Sequence, residues 1–294
     1  MKILLLGANG QVGHELRRAL GSRGDLVCTT RSGRLDDGLP CETADLDVPA
    51  SLPGMVERIA PDIVVNAAAY TAVDLAESEV ETVFRANAEA PAALAAACAA
   101  RDALLVHYST DYVFDGTASR PYREGDPVAP INVYGQSKLA GEQAIQASGA
   151  RHMIFRTAWV YADRGSNFMF TMLRLARERD ELRVVADQTG TPTPASLIAD
   201  TTAEILARPF LRSGLWHLTA EGGTTWHGFA AAIVARAQSL GRIDRVPRTV
   251  PIATGDYPTI ARRPAYSRLD CSKLERDFGI ELPPWEAALD SVLV

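Results

Sequence analysis

Tyr134-Gly-Gln-Ser-Lys138 places a phenol and an amine four residues apart. A free phenol, with a pKa of about 10, is a poor acid at neutral pH. Four residues make one helical turn, so the Lys138 ammonium would stand beside Tyr134, stabilise its anion and make proton transfer usable. Far upstream lies Gly7-Ala-Asn-Gly10-Gln-Val-Gly13. Gly7 permits a tight turn, Gly10 lets backbone N–H groups approach a pyrophosphate, and Gly13 lets a helix pack closely on a strand. The GxxGxxG spacing differs from the commoner GxGxxG and is weak alone. Its weight comes from its place, after a strand over residues 3–6 and at the head of a helix with Gln11 and Val12 in the first turn. A dinucleotide beside a tuned tyrosine can reduce a carbonyl, with hydride from the dinucleotide and the proton from Tyr134.

Other residues fit the same scheme. A second strand over 25–29 runs into Thr29-Thr30-Arg31-Ser32. An NAD site usually places an acid there for the ribose hydroxyls. Hydroxyls and the Arg31 guanidinium suit the 2′-phosphate of NADPH, with NADH the alternative. Asp45-Leu46-Asp47 follows a short third strand and could reach the adenine edge. Asn66-Ala67-Ala68-Ala69 ends the fourth strand with the small residues that a cofactor lying across the backbone needs. Ser109-Thr110-Asp111-Tyr112 follows the fifth, at the carboxyl end where open α/β sheets carry their sites. There Thr110 can hydrogen-bond the oxygen that Tyr134 protonates. Asn87, in a long helix over 82–101, could brace the site through a backbone contact.

Short apolar runs alternate with helical patterns along most of the chain, which reads as parallel α/β. Strands are expected over 63–66, 104–109, 152–156, 182–186 and 214–218. Helices are expected over 12–20, 53–60, 133–148, 167–179, 195–207, 226–240 and 285–294. The Pro- and Arg-rich stretch 245–268 suits a loop enclosing a substrate. The expected architecture is a Rossmann-like parallel sheet flanked by helices, mainly residues 1–160, with a smaller C-terminal α/β substrate lobe, mainly 161–294. Some C-terminal elements return to the first lobe.

The bulk numbers constrain partners. A net charge of −6 over 294 residues gives no basic face for nucleic acid. No run has the length of a membrane span or the form of a signal peptide. The four cysteines are widely spaced, with neither metal-ligand nor disulfide spacing, which fits a reducing compartment, the cytoplasm.

The chain resembles the extended short-chain dehydrogenases/reductases, and within them the dTDP-4-dehydrorhamnose reductase family. The resemblance runs nearly end to end, through GANGQVG at 7–13, VHYSTDYVFDGT at 106–117, NVYGQSKLAGE at 132–142, IFRTAWVY at 154–161, DQTGTPT at 187–193 and RRPAYSRLD at 262–270. It implies Thr110, Tyr134 and Lys138 as the catalytic trio, with Lys138 also holding the nicotinamide ribose. Asp111 and Tyr112 would line the sugar pocket, and Trp159 would pack on the deoxysugar. Asn167 and Phe168 would touch the nucleotide sugar, and Arg262 or Arg263 its diphosphate. The implied substrate is a dTDP-linked 4-dehydro-6-deoxy sugar. The resemblance also implies a homodimer in which magnesium assists assembly; no carboxylate spacing marks its ligands. Two alternatives remain open. A related epimerase or dehydratase is one, although a dehydratase carries Asp-Glu after the strand-end threonine, where this chain has Asp111-Tyr112. The other is a non-catalytic dinucleotide-binding regulatory subunit.

Overall fold

The computed structural model describes residues 1–209 and 211–293. Its first lobe is a seven-stranded parallel sheet. The strands are β1 (Lys2–Leu6), β2 (Asp25–Thr30), β3 (Glu42–Thr43), β4 (Ile63–Asn66), β5 (Leu104–Thr110), β6 (His152–Thr157) and, much later in the chain, β11 (Gly214–His217). Their order across the sheet is β11-β6-β5-β4-β1-β2-β3. The chain steps outward from β1 in both directions, so a crevice opens at the carboxyl ends of β1 and β4.

Alternate residues of the central strands feed two cores, as the two-residue repeat of a strand requires. On one face Ile3, Leu5, Val65, Val106 and Phe155 pack with Leu16, Ile198 and Leu274. These last belong to α1 (Gln11–Leu20), α8 (Ala195–Leu206) and α10 (Ser272–Phe278). On the other, Leu4, Leu6, Val64, Leu105 and Ile154 pack with Val56, Leu94, Cys98 and Ile145, from α2 (Leu52–Ile59), α5 (Ala90–Arg101) and α6 (Val133–Ala147). Thus α8, β11 and α10 return to the sheet from the far half of the chain.

Between β4 and α5 come α3 (Val73–Ala76), α4 (Val80–Phe84) and a wide π turn, Arg85–Glu89. The helix expected over 82–101 therefore carries an inserted turn around Asn87, and such turns recur at functional sites. The second lobe has its own core, in which Met172, Leu182, Phe229, Ile233, Trp285 and Leu289 meet. They come from α7 (Phe168–Glu178), β8 (Glu181–Val185), α9 (Trp226–Ser239) and α11 (Trp285–Leu293). The expected last residue of α11, Val294, lies outside the described residues. Short pairs complete the lobe: β7 (Val160–Tyr161) with β10 (Thr193–Pro194), and β9 (Thr189–Gly190) with β12 (Thr224–Thr225). The stretch expected as a loop contains β13 (Arg248–Ile252), which runs parallel to β8. Its side chains are nowhere fully buried and Pro251 interrupts it, so hydrophobic alternation does not mark it.

A buried ion pair ties α6 to β6. Arg156 donates to both Glu142 oxygens, at 2.9 and 2.7 Å, and the two side chains are 4% and 1% exposed. Arg156 also lies over the Phe114 ring. Glu142→Leu would strand that guanidinium in the core, and the expected loss is about 3–5 kcal/mol of unfolding free energy. Urea denaturation measures it; a loss under about 1 kcal/mol would show that the pair does not hold α6 in place.

Candidate active site

The cradle at the end of β1 is made by close contact. Gly7 has φ +78°, and a Cβ on it would lie 2.8 Å from the Ala68 Cα and N. A Cβ on Gly13 would lie 2.0 Å from the Gly7 carbonyl oxygen. Only hydrogens let the turn, the first turn of α1 and the tip of β4 approach this closely. Gly10 is the extended N-cap of α1 and brings no capping side chain. The first N–H groups of the helix, those of Gln11 and Val12, lack helical partners and are available to an anion; the His14 N–H is the first to be bonded, to the Gly10 carbonyl.

A cavity of ≈ 430 Å³ opens here, lined by Gly7, Gly10, Arg31, Asp45, Leu46 and Ala68, with Asn9, Thr30, Ser32 and Ala69 among their neighbours. Arg31 is exposed on its wall. The acids beyond β2 are engaged elsewhere, Asp36 and Asp37 both pairing with Arg17. Asp45 accepts the Asp47 N–H at 3.0 Å, which fixes the third loop. Ala67 and Val12 pack against the sheet core instead, and Gln11 Oε1 accepts from Asn167 at 3.2 Å. The missed contributor is Asn9. Its amide donates to the Arg34 carbonyl and accepts the Asp36 N–H, both at 3.0 Å, clamping the loop after β2. The residues present thus fit a dinucleotide: a cradle that side chains would fill, free N–H groups, and a cation at the far end.

Every residue of β5 is buried, and its polar tip is Thr110. The Thr110 hydroxyl donates to Asp111 Oδ1 and accepts the Tyr112 N–H, both at 3.1 Å. Burial pushes the Asp111 carboxyl up to about 7 against the hydroxyls around it. Tyr134 is half-buried on the first turn of α6. Burial pushes its phenol up to about 12; the Thr110 hydroxyl works against this and the Asp111 charge adds to it. One turn on, burial lowers Lys138 to about 8, against the pull of Glu142. Its Nζ donates to the Tyr108 carbonyl at 2.7 Å and lies 3.2 Å from His107 Nε2. The spacing predicts an ammonium that acidifies the phenol. Here the amine is engaged with β5, and the phenol stays protonated, the form that a reduction consumes.

Asn87, at the π turn, accepts the Tyr70 N–H at 2.9 Å and donates to the Tyr70 carbonyl at 3.0 Å and Ser137 Oγ at 3.1 Å. It fixes α6 against the loop after β4.

A larger cavity of ≈ 980 Å³ is lined by Asp74, Tyr112, Phe168, Trp226, Tyr257 and Arg263 among others. The Tyr112 ring meets Tyr134 edge-on, with centroids 5.8 Å apart, so this wall touches the Tyr134 ring. Arg263 grips both Asp74 oxygens at 2.7 Å. Arg262 is exposed and lies outside the walls of both cavities. Its carbonyl accepts from Asn132, the N-cap of α6, at 2.8 Å. Trp159 has φ +46° and stacks face to face on Trp226, centroids 3.6 Å apart and planes 5° apart. Phe168 packs against Trp226 in turn. Asn167 caps α7, accepting the Phe170 N–H and donating to the Ala162 carbonyl; its amide is spent on the fold. Asp74 and Trp226 went unsingled in the sequence, since neither sits in a spaced motif.

A parallel dinucleotide sheet with a tyrosine–lysine helix beside a threonine-tipped strand defines an oxidoreductase of the extended short-chain type. The family model described as RmlD substrate binding domain matches residues 1–294. A dTDP-4-dehydrorhamnose reductase of Burkholderia thailandensis is 51% identical over 298 residues, covering 98% of this chain and 97% of that protein. The enzyme of the same description from Escherichia coli K12 is 46% identical, covering 100% and 97%. Among solved structures, a dTDP-4-dehydrorhamnose reductase from Bacillus anthracis in complex with NADP has a TM-score of 0.89 at 32% identity, covering 99% and 98% of the two chains. The chain belongs to the dTDP-4-dehydrorhamnose reductase family. In Gly7→Ala the added methyl meets Ala68, and dinucleotide affinity is expected to fall at least about tenfold; fluorescence titration with NADPH checks it, and unchanged affinity would remove the cradle from the site.

Proposed function

We infer that the chain reduces the C4 ketone of dTDP-4-dehydro-6-deoxy-L-mannose to dTDP-L-rhamnose, using NAD(P)H. The observation that carries this reading is the β5 tip, where Thr110, Asp111 and Tyr112 lead from the dinucleotide sheet to the wall of the larger cavity. When bound, the reduced dinucleotide supplies the hydride that C4 receives. The C4–O double bond opens and charge grows on the oxygen. Tyr134 donates its proton there, and Thr110 stabilises the developing alkoxide. For Thr110 to donate, its hydrogen must leave Asp111 Oδ1, and an Asp111 that protonates near neutrality releases it. Elimination would need a second acid/base group after Asp111, where Tyr112 stands instead. Burial raises the Tyr112 phenol above its ordinary value, which suits it to lining rather than proton abstraction.

Within this proposal residues 1–160 mainly hold the cofactor, and most of 161–294 encloses the sugar. Phe168 and Trp226, the latter backed by Trp159, offer an apolar plate to the 6-deoxy ring, and Arg263 offers the charge for the diphosphate. The 2′-phosphate of NADPH is assigned to Arg31. The cysteine spacing favours the cytoplasm, and the family resemblance implies a homodimer; no helix among the described residues is long and apolar enough to cross a membrane. By the family resemblance magnesium assists assembly and not hydride transfer, so it has no step in the reaction; no group of three or more His, Cys, Asp or Glu among the described residues could hold a metal ion.

NADPH oxidation followed at 340 nm with freshly made dTDP-4-dehydro-6-deoxy-L-mannose, with the sugar product identified, tests the reaction. Stoichiometric conversion to dTDP-L-rhamnose is expected, with kcat falling about 10²–10⁴-fold in Tyr134→Phe. A folded, dinucleotide-binding protein that leaves this sugar unchanged would overturn it. Arg31→Ala should weaken NADPH about tenfold and leave NADH unaffected. Equal losses with both dinucleotides would take the 2′-phosphate away from Arg31.

A further inference from the structure

Behind Lys138 runs a chain of buried polar groups that the mechanism does not use. It starts at the cofactor cavity, where the Ala68 N–H donates to Asn66 Oδ1 at 3.2 Å. Asn66 Nδ2 lies 3.2 Å from His107 Nδ1, and His107 Nε2 lies 3.2 Å from Lys138 Nζ. Lys138 closes the chain on the Tyr108 carbonyl at 2.7 Å. Asn66, His107 and Lys138 are each at most 2% exposed, so no water competes for these contacts.

Direction in this chain is forced from one end. A backbone N–H can only donate, so the Asn66 oxygen must face Ala68 and the Asn66 amide hydrogens must face His107. The imidazole then accepts at Nδ1. Burial holds His107 well below its ordinary range and hence neutral. A neutral imidazole that accepts at Nδ1 carries its hydrogen on Nε2, aimed at Lys138. An ammonium there would set N–H against N–H. A neutral amine accepts that hydrogen with its lone pair, donates to Tyr108 and keeps one hydrogen free.

We propose that Asn66 and His107 are positioning residues for the reaction: the amide fixes the imidazole tautomer, and the imidazole decides whether Lys138 stands as amine or ammonium behind Tyr134. The link to the reaction rests on the reduction described above; the link to Lys138 does not. The ionisable groups packed around the pair are few. Glu142 on α6 favours the ammonium, and Arg156 on β6 holds it in a two-point ion pair. Tyr108 on β5 turns its phenol to Thr202. Tyr134 and Asp111 act on each other beside Thr110. Removing the Nε2 hydrogen therefore raises the proton affinity of Lys138. Because Ala68 lines the dinucleotide cavity, the chain also ties the amine to the floor on which the cofactor rests.

The sequence makes the test clean, with three lysines, Lys2, Lys138 and Lys273, and five histidines. In cofactor-free protein labelled with ¹⁵N-histidine and ¹³C-lysine, NMR should show Lys138 titrating near 8 and, above that titration, His107 as the Nε2–H tautomer. In Asn66→Asp the carboxylate accepts from both sides, so His107 should switch to Nδ1–H and Lys138 should titrate at least about one pH unit higher. His107→Leu should raise it in the same sense, and the ionisation seen in kcat should move with it while KM changes less. An Nδ1–H tautomer in the unsubstituted protein above the Lys138 titration overturns the proposal even if neither variant folds, as does an unmoved Lys138 titration in a folded variant. The NMR arms need no turnover, so a protein that shows the tautomer and titration yet leaves the sugar unreduced would refute the assigned reaction and keep this inference.

Discussion

The site depends on one constraint: a strand buried along its whole length that ends in polar side chains. His107 and Thr110 lie within β5, and neither is more than 5% exposed. Buried polar groups without partners are costly, so neighbouring elements must bring partners to them. β4 supplies Asn66, α6 supplies Lys138, and the turn after β5 supplies Asp111 and the Tyr112 N–H. The Tyr134–Lys138 helix is held against β5 by this need, by the Arg156–Glu142 pair and by Asn87 at the π turn. Catalytic geometry and fold stability thus share the same hydrogen bonds.

The same burial shapes the chemistry. Desolvation disfavours charge on whatever it encloses, so it raises acids and lowers bases. Tyr134 and Asp111 are held toward their protonated forms and Lys138 toward its neutral one. A ketone about to become an alkoxide then meets groups ready to give hydrogen, in surroundings where each hydrogen bond is stronger than in water. Family resemblance implies the trio, and burial holds its phenol in the form that a reduction would use.

Much of this was legible in the residues. The glycine turn, the strand-end Thr110 and the Tyr134–Lys138 spacing are local patterns, and local patterns survive in sequence. The parallel sheet was legible too, because its strands are buried on both faces and read as apolar runs. The partners of those residues were less so. His107 sits in the VHYST motif as one more buried strand residue, and its contact with Lys138 joins positions 31 apart. Trp226 reaches Trp159 across 67 positions, Asp74 grips Arg263 from another lobe, and β13 hides behind proline and half-exposed side chains. Side-chain direction decides Arg262 against Arg263, and the order of two adjacent arginines carries none of that information.

The Trp159–Trp226 stack has an optical consequence. Two indoles face to face at 3.6 Å couple their electronic transitions, and a coupled pair gives a split circular-dichroism signal that separate indoles lack. Trp159 stands on the segment leaving the sheet and Trp226 begins a helix of the second lobe, so the splitting exists only while the two segments keep their register. The protein thus carries, in its own side chains, a gauge of whether these two segments keep their register.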